Sequence, residues 1–156
     1  MKLITRGAVA GLVGTVVMTG AMFAAKKAGM APGELAPRGI TENVQEKLGV
    51  RHRVPKPAFE ASWTVLHFGY GTASGVAYAL LQEKAIGVDR AFLVGPLFGV
   101  LLWAIGYCGW LPVLGLYPPP TRLSKRKVGA ELISTHLIYG AATAVAHRVL
   151  STRSEP

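Results

Sequence analysis

Four long uncharged or nearly uncharged apolar runs dominate the chain. Residues 7–25 form the first, 19 residues bracketed by Arg6 and by Lys26-Lys27. Residues 61–82 form the second, 22 residues whose principal ionisable group is His67. The third, 91–121, is long enough for a membrane span plus a re-entrant or interfacial tail. The fourth, 128–147, holds Glu131 and His136 and is the weakest by hydropathy. A hydrocarbon core about 30 Å thick is crossed by ~20 apolar helical residues. Only helices and closed barrels satisfy their backbones in lipid, and no run alternates with period two as a barrel strand would. The pattern therefore predicts an all-α, polytopic membrane four-helix bundle in a single domain, 1–156, with spans near 4–25, 61–82, 90–112 and 128–149. The first run exceeds the ~7–15-residue apolar stretch of a signal peptide and lacks a clear A-x-A site, so it is read as a retained span.

The connections differ in kind. In residues 26–60, Ile40, Val44 and Leu48 recur every four positions, Thr41 can cap and Gly49 can stop a helix. That spacing predicts a short amphipathic helix on the membrane surface, with a solvated loop as the alternative. Residues 83–90 make a tight connection, and Pro118-Pro119-Pro120 must break any helix. The first and third connections carry seven and four Lys/Arg, against six on the opposite side. The positive-inside rule then places both termini outside.

Composition narrows the function classes. Charged residues make up 16% and the apolar set 51%, against roughly 25% charged in soluble domains, and mean hydropathy is +0.36. The net charge of +9 sits between the apolar runs, where lipid headgroups would meet it. No basic stretch is interleaved with aromatics, which argues against nucleic acid. The expected partner is the lipid bilayer, with a further copy or another membrane protein as a second contact. Cys108 is the single cysteine, so no intrachain disulfide or Cys-based zinc site can form; it reads as a packing residue. No phosphate loop, Ser-His-Asp order or carboxylate pair is present, and a non-enzymatic protein is expected.

The second and fourth runs resemble each other. At an offset of 69, residues 67–78 align with 136–147, and six of twelve positions are identical. The shared pattern is H-x-x-Y-G-x-x-[ST]; at an offset of 84, Arg6 and Gly11 fall on Arg90 and Gly95. These matches predict two repeated helical hairpins. Helical spacing puts His67, Tyr70, Gly71, Ser74 and Tyr78 on one stripe, and His136, Tyr139, Gly140, Thr143 and His147 on another. Lipid solvates neither stripe, so both are expected to turn inward. Gly7/Gly11, Gly71/Gly75, Gly95/Gly99 and Gly140/Ala144 are small-xxx-small pairs suited to close helix packing.

His67 and His136 are the foremost candidates for chemistry. Three readings stay open: hydrogen bonds that fix packing, a polar path for protons or a small solute lined also by Tyr70 and Tyr139, and axial ligation of one haem. Glu131 either joins such a path or pairs with Arg122, Lys125, Arg126 or Lys127 at the interface. Trp63, Trp103, Trp110, Tyr107 and Tyr117 suit an aromatic belt.

From residue 61 to 147 the order of motifs resembles the YagU family of bacterial inner-membrane proteins. The carrying residues are His67 with Tyr78 eleven later, Gly115-Leu116-Tyr117-Pro118-Pro119, and Glu131 ahead of His136. The basic first connection and a Glu-to-His spacing one residue longer depart from that pattern. The resemblance implies a polytopic inner-membrane protein with a link to acid tolerance, and no reaction.

Overall fold

A computed structural model describes residues 2–31, 33–83 and 91–152, apart from the side chains of Ala91, Glu131 and Leu132. The described residues are helical, with no strand. Five helices follow in order: α1 (Leu3–Lys27), α2 (Ala36–Lys47), α3 (Lys56–Leu81), α4 (Ala91–Trp103) and α5 (Ser134–Thr152). α4 continues through a π-helical stretch, Ala104–Trp110, which bends at Gly109 before the single turn Leu111–Val113. A second π-helical stretch, Val128–Ile133, leads into α5. Two helices, Leu3–Lys27 and Phe92–Val113, are long and apolar enough to cross a membrane.

α1 packs closely on α3 and on α5, and α5 packs on α4. Small residues decide these contacts. A methyl group at Gly11 would sit 2.5 Å from the Gly71 carbonyl oxygen and 2.8 Å from Gly75 Cα, so α1 and α3 touch backbone to backbone. Gly7 lies against Gly75 and Ala79 in the same seam. Across α4 and α5, a methyl at Gly95 would sit 2.6 Å from the Gly140 carbonyl and also strike Ala144, while Gly99 meets the His136 carbonyl. Gly14, which no sequence pair singled out, lets α1 approach Tyr139 and Thr143 of α5. By contrast, α3 and α4 do not pack closely along their length; they meet where the Tyr78 ring stands edge-on to Phe98 at 5.3 Å.

An apolar core sits inside helices that also carry many exposed large apolar side chains. Val13, Val16 and Val17 of α1, Val65 and Leu66 of α3, Leu97 and Leu101 of α4, and Val145 and Val149 of α5 all point outward. Thr15, Ser74, Gln82, Thr135, Thr143 and His147 are buried.

α2 forms, with Gly49 at φ +67° ending it. Two of its three apolar stripe residues face protein, whereas Leu48 is 69% exposed. Ala36 is buried with Tyr107, Leu111, Leu116 and Tyr117, and Ile40 and Val44 pack against the same cluster. Thr41 is no cap: it lies inside the helix, 2% exposed, and its hydroxyl donates to the Pro37 carbonyl; Pro37 in the first turn starts the helix one turn earlier than the spacing suggested. The third run bends back at Gly115, and the Asn43 side chain donates to the Leu116 carbonyl at 2.8 Å. Tyr107 and Tyr117 stack edge-on in this cluster and Trp63 is buried, so these three do not form an outward belt. Cys108 is exposed, not packed. The connection expected at 83–90 lies outside the described residues beyond Glu83.

Candidate functional site

The spacing of small residues leaves room where α3 and α4 fail to close. A partly open cavity of about 250 Å³ lies there, bounded by α1, α3, α4 and α5 and closed at one end by α2. His67, Tyr70 and Ser74 line it from α3, and Thr135, His136 and Tyr139 from α5. Met18, Met22, Leu102 and Leu111 supply much of its apolar wall. The π-helical stretch contributes Gly106, Tyr107 and Trp110; such irregular turns recur at functional sites because they re-aim side chains without breaking the helix.

The polar groups form layers along α3. In the first, His67 Nε2 lies 3.0 Å from the Thr19 hydroxyl, which itself donates to the Thr15 carbonyl at 2.7 Å. The His136 ring stands edge-on to Tyr107, 5.6 Å away. In the second layer the Tyr139 hydroxyl donates to the Gly71 carbonyl at 2.6 Å. Ser74 and Thr143 are buried in the same layer. In the third, Tyr78 is fully buried with its ring 5.8 Å from His147, itself 5% exposed. Among the described residues Tyr78 Oη and His147 Nε2 make no hydrogen bond. His147 lies within electrostatic reach of Arg6 and Glu83, which pair at 3.6 Å. From His67 to the end of α3 this column spans about 21 Å, at ~1.5 Å per residue.

At the other end, α2 is tied to the start of α3. Arg38 donates to both Glu60 carboxylate oxygens at 2.6 Å, and Trp63 Nε1 donates to Glu60 at 2.6 Å. Arg38 also donates to Glu34 and lies over the Phe59 ring at 5.1 Å. The Trp63 N–H first, and then the Arg38 guanidinium, hold the Glu60 carboxyl below the ordinary carboxylate range. Hydrogen bonds to Glu34 and then Glu60 push the Arg38 guanidinium up.

The family comparison reaches the whole molecule: one family model matches residues 1–156. The chain belongs to the family of unknown function DUF6789. No curated protein and no solved structure matches it.

Both stripes thus contribute to one region. His67, Tyr70, Ser74, His136 and Tyr139 line the cavity, Thr143 is buried beside it, and Tyr78 and His147 meet beneath it. Tyr70 departs from its counterpart: it is 47% exposed, whereas Tyr139 is 3% exposed. The Glu131 side chain lies outside the described residues. No group of three or more His, Cys, Asp or Glu among the described residues could hold a metal ion. His67 Nε2 is already bonded to Thr19. Sequence reasoning missed Thr15, Thr19 and Thr135, which complete the polar interior, and the Arg38–Glu60 tie. Thr15 and Thr19 stand four residues apart on one face of the first run, a polar pair that was visible there.

Proposed function

We propose that this is a non-enzymatic, four-span protein of the bacterial inner membrane. It is built from two repeated hairpins and passes protons or a small polar solute along the column between α3 and α5. The observation that carries the reading is a layered series of polar side chains between α3 and α5, buried at Ser74, Tyr78, Thr143 and His147 and half-buried at His67 and His136, in helices whose outward faces are apolar. Such groups cost several kcal/mol each in lipid unless paired or hydrated. Tyr78 Oη and His147 Nε2, buried without partners, are where water would complete the series.

The repeat gains support from contacts that no periodicity could supply. Gly11 against Gly71 and Gly75 has its counterpart in Gly95 against Gly140 and Ala144, at the same offsets of 84 and 69. Tyr78 and His147, equivalent at 69, touch each other, as equivalent groups do beside a twofold axis. That relation fits a parallel repeat about the membrane normal, and the likeness to the YagU family fits the same placement.

The experiment is flux in proteoliposomes. Wild-type vesicles should dissipate an imposed pH gradient, and His67→Gln and His136→Gln should abolish this while melting close to wild type. Flux no greater than in empty vesicles would refute passage of protons, and a tracer series of small polar solutes run in the same vesicles would extend the refutation to them. Release of the protein by alkaline carbonate would refute membrane insertion.

A further inference from the structure

We propose that the cavity between α3 and α4 is a binding site for a lipophilic phenol or alcohol, an apolar body carrying one hydroxyl, that enters sideways from the bilayer. The proposal rests on the membrane reading above and adds a ligand to it. Three of the residues lining the cavity are also exposed on the outer surface: Leu66 and Tyr70 of α3 at 52% and 47%, and Trp110 at 39%. The cavity therefore opens outward between α3 and the π-helical end of α4, on the face where neighbouring side chains are apolar. Its other end is covered by α2, where Ala36 and Thr41 are 1% and 2% exposed and Arg38 is clamped on Glu60. A ligand thus arrives through lipid and not from water.

Size and lining limit the body of the ligand. The volume of about 250 Å³ exceeds the ~150 Å³ of an apolar cavity that holds a benzene ring. It falls short of the ~300 Å³ at which drug-sized pockets begin. One or two rings, or a short branched chain, fit against Met18, Met22, Leu102 and Leu111.

Hydrogen-bond bookkeeping selects the polar end. A backbone carbonyl can only accept. The Thr19 hydroxyl proton goes to the Thr15 carbonyl, so in the bond between Thr19 and His67 the ring Nε2 must donate. That assigns the proton to Nε2 and leaves Nδ1 as an acceptor. The Tyr139 hydroxyl proton likewise goes to a backbone carbonyl, that of Gly71. Both hydroxyls, of Thr19 and Tyr139, spend their protons on carbonyls. His67 lines the cavity, and what its ring has left to offer a ligand is the Nδ1 lone pair. Acceptors that line an apolar cavity are satisfied by a ligand that donates, and a hydroxyl is the smallest such group.

The test uses the full chain in nanodiscs at neutral pH with 4-bromophenol, which stays un-ionised there, and its methyl ether, which cannot donate. Bromine quenches tryptophan at short range, and Trp110 stands at the opening. The phenol should quench saturably above its partition into empty nanodiscs, and Trp110→Phe should remove that component. The ether should bind about tenfold more weakly, the equivalent of ~1.4 kcal/mol, one hydrogen bond. His67→Gln, which keeps an acceptor, should bind within threefold of wild type, and His67→Phe should lose about tenfold. Gly106→Leu should abolish saturation, because a side chain there has space, its first neighbour lying 3.8 Å from the added Cβ. Non-saturable quenching, or equal binding of phenol and ether, overturns the proposal. A chain that fails to insert into the nanodisc overturns the membrane reading instead, and absence of flux in proteoliposomes leaves the binding result standing on its own.

Discussion

Gly11→Ala should destabilise the protein, and the size of the effect follows from the seam it enters. The added methyl would sit 2.5 Å from the Gly71 carbonyl oxygen and 2.8 Å from Gly75 Cα, where ordinary contact begins near 3.4 Å. Both obstacles are backbone atoms of α3, so no side-chain rotation relieves them. The helices must separate by about 0.9 Å, and a gap of ~0.5–1 Å forfeits a quarter to a half of each contact's dispersion energy. The expected cost is ~1–3 kcal/mol. Gly20 of α1 and Gly69 of α3 are internal controls: a Cβ at either meets nothing within 4 Å. Alanine there should be neutral or stabilising by up to ~1 kcal/mol, from helix propensity alone. Denaturation of the purified chain in mixed micelles, titrated with dodecyl sulfate, measures the difference. Because Gly95 stands in the same relation to Gly140, with 2.6 Å to its carbonyl, Gly95→Ala should cost about as much as Gly11→Ala. The double variant Gly11→Ala/Gly75→Ala should be less than additive, since one separation relieves both clashes. If Gly11→Ala unfolds together with Gly20→Ala, the backbone-to-backbone seam is refuted.

Other outcomes follow from the same geometry. Glu60 has a folded-state pKa below its unfolded value; its contribution is complete above the unfolded value, near ~4.3, and is lost as pH falls through the folded one. The α2 cover should therefore stay closed at neutral pH and loosen only in stronger acid, while Glu60→Gln should loosen it at neutral pH. Amide hydrogen exchange over residues 36–47, corrected for intrinsic rates, reads both, and unchanged protection in Glu60→Gln would show that the tie does not hold the cover. In a Cys108→Ser background, a cysteine placed by Ser124→Cys, at an exposed position, should resist a membrane-impermeant maleimide in intact cells; rapid labelling would reverse the orientation. Leu116→Ala should also raise exchange in α2, because Leu116 is 9% exposed in the cluster that receives Ala36, and exchange confined to the Gly115 turn would contradict that packing.

Much of the helical layout was legible because apolar runs and their charged ends report where helices start and stop. The extents of α1 and α3 lie within a few residues of the runs that predicted them. The third and fourth runs were less simple: π-helical stretches at Ala104–Trp110 and Val128–Ile133 leave no mark in hydropathy, since they change backbone hydrogen bonding and not side-chain character. The protein contacts of α2 were not legible, for a clear reason. Ile40 and Val44 present an apolar face, and spacing cannot tell whether lipid or protein will cover it. The deciding partners, Tyr107, Leu111 and Leu116, lie more than sixty residues away in sequence.

The candidate site shows the same division between direction and distance. Helical periodicity ordered His67, Tyr70 and Ser74 on one face and His136 and Tyr139 on another, because the 3.6-residue turn fixes direction around a helix axis. It carries no information on how far apart two axes stand. That separation is set by which small residues meet. Gly11 finds Gly71 and Gly75, Gly95 finds Gly140, and Gly14 draws α1 onto Tyr139 and Thr143. Equivalent close contacts between α3 and α4 would have completed a symmetric set. At the positions where they would fall, offset by 84 and 69 from Gly14, Tyr139 and Thr143, α4 carries Phe98 and α3 carries Tyr70 and Ser74. Bulky and polar residues hold that pair of helices apart. The helices therefore come together asymmetrically, and the gap that results is where the polar stripes meet an opening on the outer face.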